Sequence, residues 1–114
     1  MAKPKVYKKL PKKFISKWVN ALRSGKYKQT TGTLKARNSD SYCCLGVACV
    51  IAGIPKKEIV GLGMPTELIE EFQKKLPPFL REEIGHPTAL ETLATMNDNG
   101  TSFEKIANRI ERLY

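Results

Sequence analysis

Residues 43–54, CCLGVACVIAGI, carry no charged side chain and form the longest apolar run in the chain. A run of this kind cannot stay on a surface, and it falls well short of the roughly 18 apolar residues that a membrane span needs. It must therefore lie at the centre of whatever the chain builds. Leu45, Val47, Ala48, Val50 and Ile51 are available for burial and Gly53 supplies a stop, which reads as a buried central helix. A fully buried strand is the competing assignment, because periodicity does not separate the two in a short apolar run. With 114 residues, 41% of them hydrophobic, there is material for one small core around it. The expected organisation is a basic tail over residues 1–10 and a single globular domain over residues 11–114.

The flanking segments divide into elements by their own punctuation. Pro11 suits the first turn of a helix, and Phe14, Ile15, Trp18, Val19 and Leu22 recur as one apolar stripe before Ser24-Gly25 ends it. Residues 26–42 carry Tyr, Thr and Leu at intervals, with Gly32 in the middle, and read as a short β-hairpin or paired extended arm. Residues 66–76 space Leu68, Ile69, Phe72 and Leu76 as a helix, and Pro77-Pro78 interrupts it. Thr88-Ala89-Leu90-Glu91 and Thr101-Ser102-Phe103-Glu104 both fit the capping box, in which a hydroxyl and a carboxylate reciprocally satisfy backbone donors. The two helices they open are separated by Asn97-Asp98-Asn99-Gly100, a turn-forming string. Leu90, Leu93 and Met96 of the first would then face Phe103, Ile106, Ala107 and Ile110 of the second. The expected fold is α+β and mainly helical, with four to five helices around a buried Cys-containing helix and a small β-hairpin.

Charge is distributed as unevenly as hydrophobicity. The formal net charge is +9, yet no acid occurs before Asp40, so the first 37 residues hold ten Lys and two Arg for +12 while the rest carries −3. A basic front on a mildly acidic body favours anionic partners. Lys3, Lys5, Lys8 and Lys9 read as a solubilising tail. Lys12, Lys13, Lys17 and Arg23 lie off the apolar stripe of the first helix and make a basic face.

Trp18-Val-Asn-Ala-Leu22-Arg-Ser24-Gly25-Lys26-Tyr27-Lys28-Gln29, Tyr42-Cys43-Cys44-Leu45-Gly46-Val47 and Asn97-Asp98-Asn99-Gly100-Thr101-Ser102-Phe103 together resemble a widespread group of small uncharacterised bacteriophage and prophage proteins, in order as well as wording. The resemblance implies a small accessory protein of the host bacterial cytoplasm that acts by binding and blocking a host component. It transfers no catalytic or ligand-binding residue.

Three cysteines is an odd count and Cys43 and Cys44 are adjacent, which reads as reduced thiols in a cytoplasm. No apolar signal core follows the basic start, so no secretion is expected. At a helix start behind a basic arm, Cys43 or Cys44 is conceivable as a thiolate, with His86 as partner base. The apolar surroundings favour buried structural cysteines instead, and no catalytic residue is assigned. The cysteine spacing does not suit zinc, and 97–100 lacks the alternating acids of a calcium loop, so no metal and no cofactor are expected.

The arm is the candidate ligand-binding site: Lys26, Tyr27, Lys28, Gln29, Thr31, Lys35, Arg37 and Tyr42. It brings cations, an aromatic platform, amide and hydroxyl groups and backbone-approachable glycines together, the components that hold phosphate and stack a base. The leading expectation is a non-enzymatic counter-defence binder that takes an anionic small molecule of nucleotide type or masks a host defence protein. A nucleic-acid-binding protein using the same basic face is the first rival. A thiol-dependent hydrolase or transferase is the second. A homo-oligomer fits a ligand-sequestering protein, and no membrane partner is expected.

Overall fold

The computed structural model describes residues 12–77, 80 and 89–113. In chain order they form α1 (Lys12–Arg23), β1 (Lys28–Gln29), β2 (Ser41–Tyr42), α2 (Cys44–Ile51), two 3-10 turns (Lys56–Glu58 and Pro65–Glu67), α3 (Glu70–Gln73), α4 (Ala89–Asp98) and α5 (Phe103–Leu113). Among the described residues this is a mainly helical α+β arrangement with one two-stranded sheet. No helix among them is long and apolar enough to cross a membrane.

α2 is the helix that the apolar run requires, and residues 44–49 are all buried. Cys43 closes its start in an extended conformation, its sulfur accepting the Gly46 N–H at 3.4 Å. At its end the Ile54 N–H donates to the Cys49 carbonyl and the Gly53 N–H to the Val50 carbonyl, around Gly53 at φ +93°. This doubly bonded terminus needs a left-handed residue and seats the next apolar side chain, here the buried Ile54. α4 ends the same way, with Thr101 donating to Met96, Gly100 to Asn97, and Gly100 at φ +87°.

The other helices pack their stripes on α2 and on one another. α1 turns Ile15, Trp18, Val19 and Leu22 inward, and the Trp18 indole N–H donates to the Cys44 carbonyl at 2.9 Å. α5 buries Phe103, Ile106, Ala107 and Ile110, and Leu93 of α4 is fully covered. Met96 is half-buried. Each fully buried Leu or Ile contributes about 2 kcal/mol. One cluster of buried side chains runs through α1, the arm, α2, Ile59, Leu68, Leu76, Leu80, α4 and α5.

Three elements differ from expectation. β1 and β2 pair in parallel, Lys28 opposite Ser41 and Gln29 opposite Tyr42, where a hairpin would be antiparallel. The reversal comes later, where Lys35 bridges Tyr42 and the Ala36 N–H and Cys43 N–H donate to the carbonyls of Ser41 and Leu34. The chain cannot fold straight back because residues 30–34 are drawn aside first: Gly32 N–H donates to Asp98 Oδ1 at 2.9 Å and Leu34 N–H to the Leu62 carbonyl at 2.6 Å.

The helix expected over 66–76 is interrupted, since Leu68 and Ile69 are extended and only Glu70–Gln73 is helical. The Gln73 amide donates to the carbonyls of Thr66 and Leu68, stabilising the break through groups that a continuous helix would have used itself. The cap expected at Thr101 sits one residue on. Ser102 Oγ accepts the Lys105 N–H at 3.3 Å, and Glu104 instead faces Arg23 at 3.9 Å. The tail, Pro11, Pro78, His86, Thr88 and the Leu90 side chain lie outside the described residues.

Candidate functional site

The eight arm residues separate into a buried cluster, a hydrogen-bonded hub and an exposed rim. Tyr42 heads the cluster. It is 1% exposed, meets Tyr27 edge-on with ring centroids 5.5 Å apart, and has the Lys35 and Lys56 ammonium groups 5.9 and 5.8 Å from its ring centre. Its hydroxyl donates to Asp40 Oδ1 at 2.6 Å, and Lys56 Nζ lies 3.6 Å from the same carboxylate. That phenol bond, with the Lys56 and Lys35 charges behind it, holds Asp40 below the usual carboxylate range. Burial, then the bond to Asp40, pushes the Tyr42 phenol up. Lys35 spends its ammonium on the carbonyls of Ala36 and Ser39.

Gln29 belongs to the hub. Its amide donates to Asn97 Oδ1 at 3.0 Å and to the Thr101 carbonyl at 2.7 Å. Asn97, at the end of α4, is fully buried; its Oδ1 also accepts the Cys44 N–H at 3.0 Å, and its Nδ2 donates to the Thr30 carbonyl at 2.7 Å. One side chain thus ties together β1, the strand-to-strand connection, the first turn of α2 and the end of α4. The three motifs quoted above meet here, because Trp18 binds the carbonyl of the same Cys44 whose N–H Asn97 receives. Asn97 reads in sequence as turn chemistry alone. The signal that could have found it is its place inside a helix-ending string one turn after buried Leu93, on the face that packs inward.

Lys26, Lys28, Thr31 and Arg37 form the exposed rim, the Arg37 guanidinium lying against Gly61. Lys12, Lys13 and Lys17 stand exposed on α1 with Ser16 and Asn20. Among the described residues the ion pairs are Arg23 with Glu104 and Glu111, and Lys56 with Asp40, so none of the α1 lysines or rim cations meets a carboxylate. Arg23 also donates to Asn108 at 2.6 Å, and this contact closes the seam between α1 and α5.

The cysteines sit in the core, as their apolar surroundings favour, and the thiolate alternative is left without support. Cys43, Cys44 and Cys49 are free and buried. Burial pushes all three thiols up, Cys49 to about 12, and outweighs the backbone N–H groups at the start of α2 that favour the thiolate at Cys43. Iodoacetamide at pH 8 is expected to modify none of the three in the folded protein and all three in 6 M guanidinium, read by intact mass. Fast alkylation of one native cysteine would contradict the burial described. No group of three His, Cys, Asp or Glu among the described residues could hold a metal ion.

Fold and surface together define a small, mainly helical scaffold on which Lys12, Lys13, Lys17, Lys26, Lys28 and Arg37 are exposed and, among the described residues, unpaired with a carboxylate. A family model described as a domain of unknown function, DUF8296, matches residues 10–59, which span α1, the arm, α2 and the first 3-10 turn. No curated protein and no solved structure matches the chain.

Proposed function

We propose that the protein is a small non-enzymatic accessory protein of phage type that masks an anionic component of a bacterial defence system. The observation that carries this reading is the set of exposed cations Lys12, Lys13, Lys17, Lys26, Lys28 and Arg37, none paired with a carboxylate among the described residues. Unpaired cations raise the local concentration of anions and gain by counterion release when phosphates replace small ions. Burial of Cys43 and Cys44 weighs against the thiol enzyme.

The size of the target follows from which groups are already spent. The Gln29 amide nitrogen, the Lys35 ammonium and the Tyr42 hydroxyl are engaged internally, so a pocket that used them for one nucleotide would have to break the hub or the Tyr42 cluster. Groups on an open rim suit an extended anion better than a single enclosed one. Native mass spectrometry of the protein recovered from bacteria that express it, beside calorimetric titration with cyclic oligonucleotides, tests this. A retained anionic partner that is lost on Lys26→Glu, Lys28→Glu and Arg37→Glu together is the expected result. No partner, and no heat with any polyanion, overturns it.

A further inference from the structure

We infer that the anionic target is the phosphate backbone of nucleic acid, met by the solvent face of α1 without reading of sequence. The inference rests on the function proposed above and narrows it to one class of partner. Lys12, Lys13, Ser16, Lys17, Asn20 and, at the C-terminal end, Arg23 are the exposed residues on this side of the helix, and the opposite side is locked down by Ile15, Trp18, Val19 and Leu22. The Trp18 indole bond to Cys44 and the Arg23 contacts to Asn108 and Glu111 fix the helix in roll and at its C-terminal end. The lysines therefore project from a rigid platform, and binding costs side-chain entropy without ordering of backbone.

Chemistry then separates the possible polyanions. Protein interfaces centre on aromatic, Met and Arg anchors in a dry core and are depleted in Lys. This face has no exposed aromatic or apolar residue, its one Arg, Arg23, is already engaged by Glu111 and Asn108, and among the described residues the exposed large hydrophobic is Ile69, outside α1. An acidic protein would find charge there but no anchor. Phosphate backbones ask for Lys, Ser and Asn, which is the composition present. Base edges are read by forked Arg, Asn or Gln groups in numbers, and with Arg23 engaged, Asn20 alone on this face supplies no such set.

Two acids of α5 are already engaged at the other end of α1. Glu104 and Glu111 are drawn onto Arg23 at the far end of α1, away from Lys12, Lys13 and Lys17. Among the described residues, no carboxylate pairs with Lys12, Lys13 or Lys17.

Fluorescence anisotropy with two labelled 20-base-pair duplexes of unrelated sequence, and with poly-glutamate as the protein-like polyanion, tests the inference on the full chain. Both duplexes are expected to bind within about two-fold of each other, since backbone contacts carry no sequence information. With three phosphates neutralised, affinity falls about forty-fold between 50 and 200 mM salt, from a slope of about −0.9 per phosphate. The triple variant Lys12→Ala, Lys13→Ala, Lys17→Ala, checked by circular dichroism to melt as the parent does, should lose most of the binding and flatten the salt slope. Unchanged binding by the triple variant, or a strong preference for one duplex, overturns the inference. Binding of poly-glutamate without nucleic acid overturns it and leaves the proposed function standing. Binding of neither polyanion removes both.

Discussion

Gly46→Ala is expected to lower the free energy of unfolding by about 3 kcal/mol or more, at the upper end of what one added methyl does in a packed core. A Cβ at Gly46 would overlap the Leu34 carbonyl, with the Leu34 carbonyl carbon 2.8 Å and its Cα 3.2 Å away, all of them backbone atoms. A side chain in the way can change rotamer; a carbonyl whose oxygen already accepts the Cys43 N–H cannot move without breaking the strand contact beside it. Gly53→Ala makes the comparison, because its cost of about 1 kcal/mol is a local left-handed strain with open space around the new methyl. Urea titration of both variants reads the difference. If Gly46→Ala loses less than Gly53→Ala, the close approach of the arm to α2 is wrong.

Asn97→Ala should cost about 3 kcal/mol, because it takes this partner from two backbone groups, one buried and one part-buried, at about 1–3 kcal/mol for a buried one. Those groups are the Cys44 N–H at the first turn of α2 and the Thr30 carbonyl beside β1, and Gln29 loses an acceptor as well. Asn97→Asp separates the two halves of the role: it keeps an acceptor for Cys44 and Gln29 but sets an oxygen against the Thr30 carbonyl and a charge in a fully buried position. Both variants are expected to unfold at lower urea than the parent, and in Asn97→Ala the Cys44 amide should exchange with solvent faster. Two variants within about 0.5 kcal/mol of the parent, the ordinary span of a surface change, would mean that the hub is not a hub.

Short-range physics made most of the helices legible. The inward stripe of α1, the buried character of α2 with its stop at Gly53, and the Gly100 turn between α4 and α5 all follow from spacing and from glycine at helix ends. Less legible were features settled by partners far along the chain. The parallel register of β1 and β2 depends on Asp98 and Leu62 drawing residues 30–34 aside, and no local pattern in 26–42 encodes that pull. The break at Leu68-Ile69 depends on the Gln73 amide, where apolar spacing alone asked for a helix.

The candidate site was legible to the same degree and for the same reason. Lys26, Lys28, Thr31 and Arg37 are exposed, as a binding rim needs. Gln29 and Tyr42 have the right chemistry for a ligand but spend it on Asn97, Thr101 and Asp40. Residue type tells what a side chain can bind; only the fold tells what has already bound it.

The hub has a consequence for how the chain acquires its shape. Residues 10–59, the stretch that the family model spans, include α2 but not the group that satisfies the Cys44 N–H, which arrives from Asn97, 53 positions later. A peptide of that stretch would hold its central helix with an open first turn and an arm free of its clamp. Closing so long a loop costs entropy before any contact repays it. Docking of α4 therefore completes the first turn of α2 and clamps the arm, through Asn97 and Asp98, from the far end of the chain.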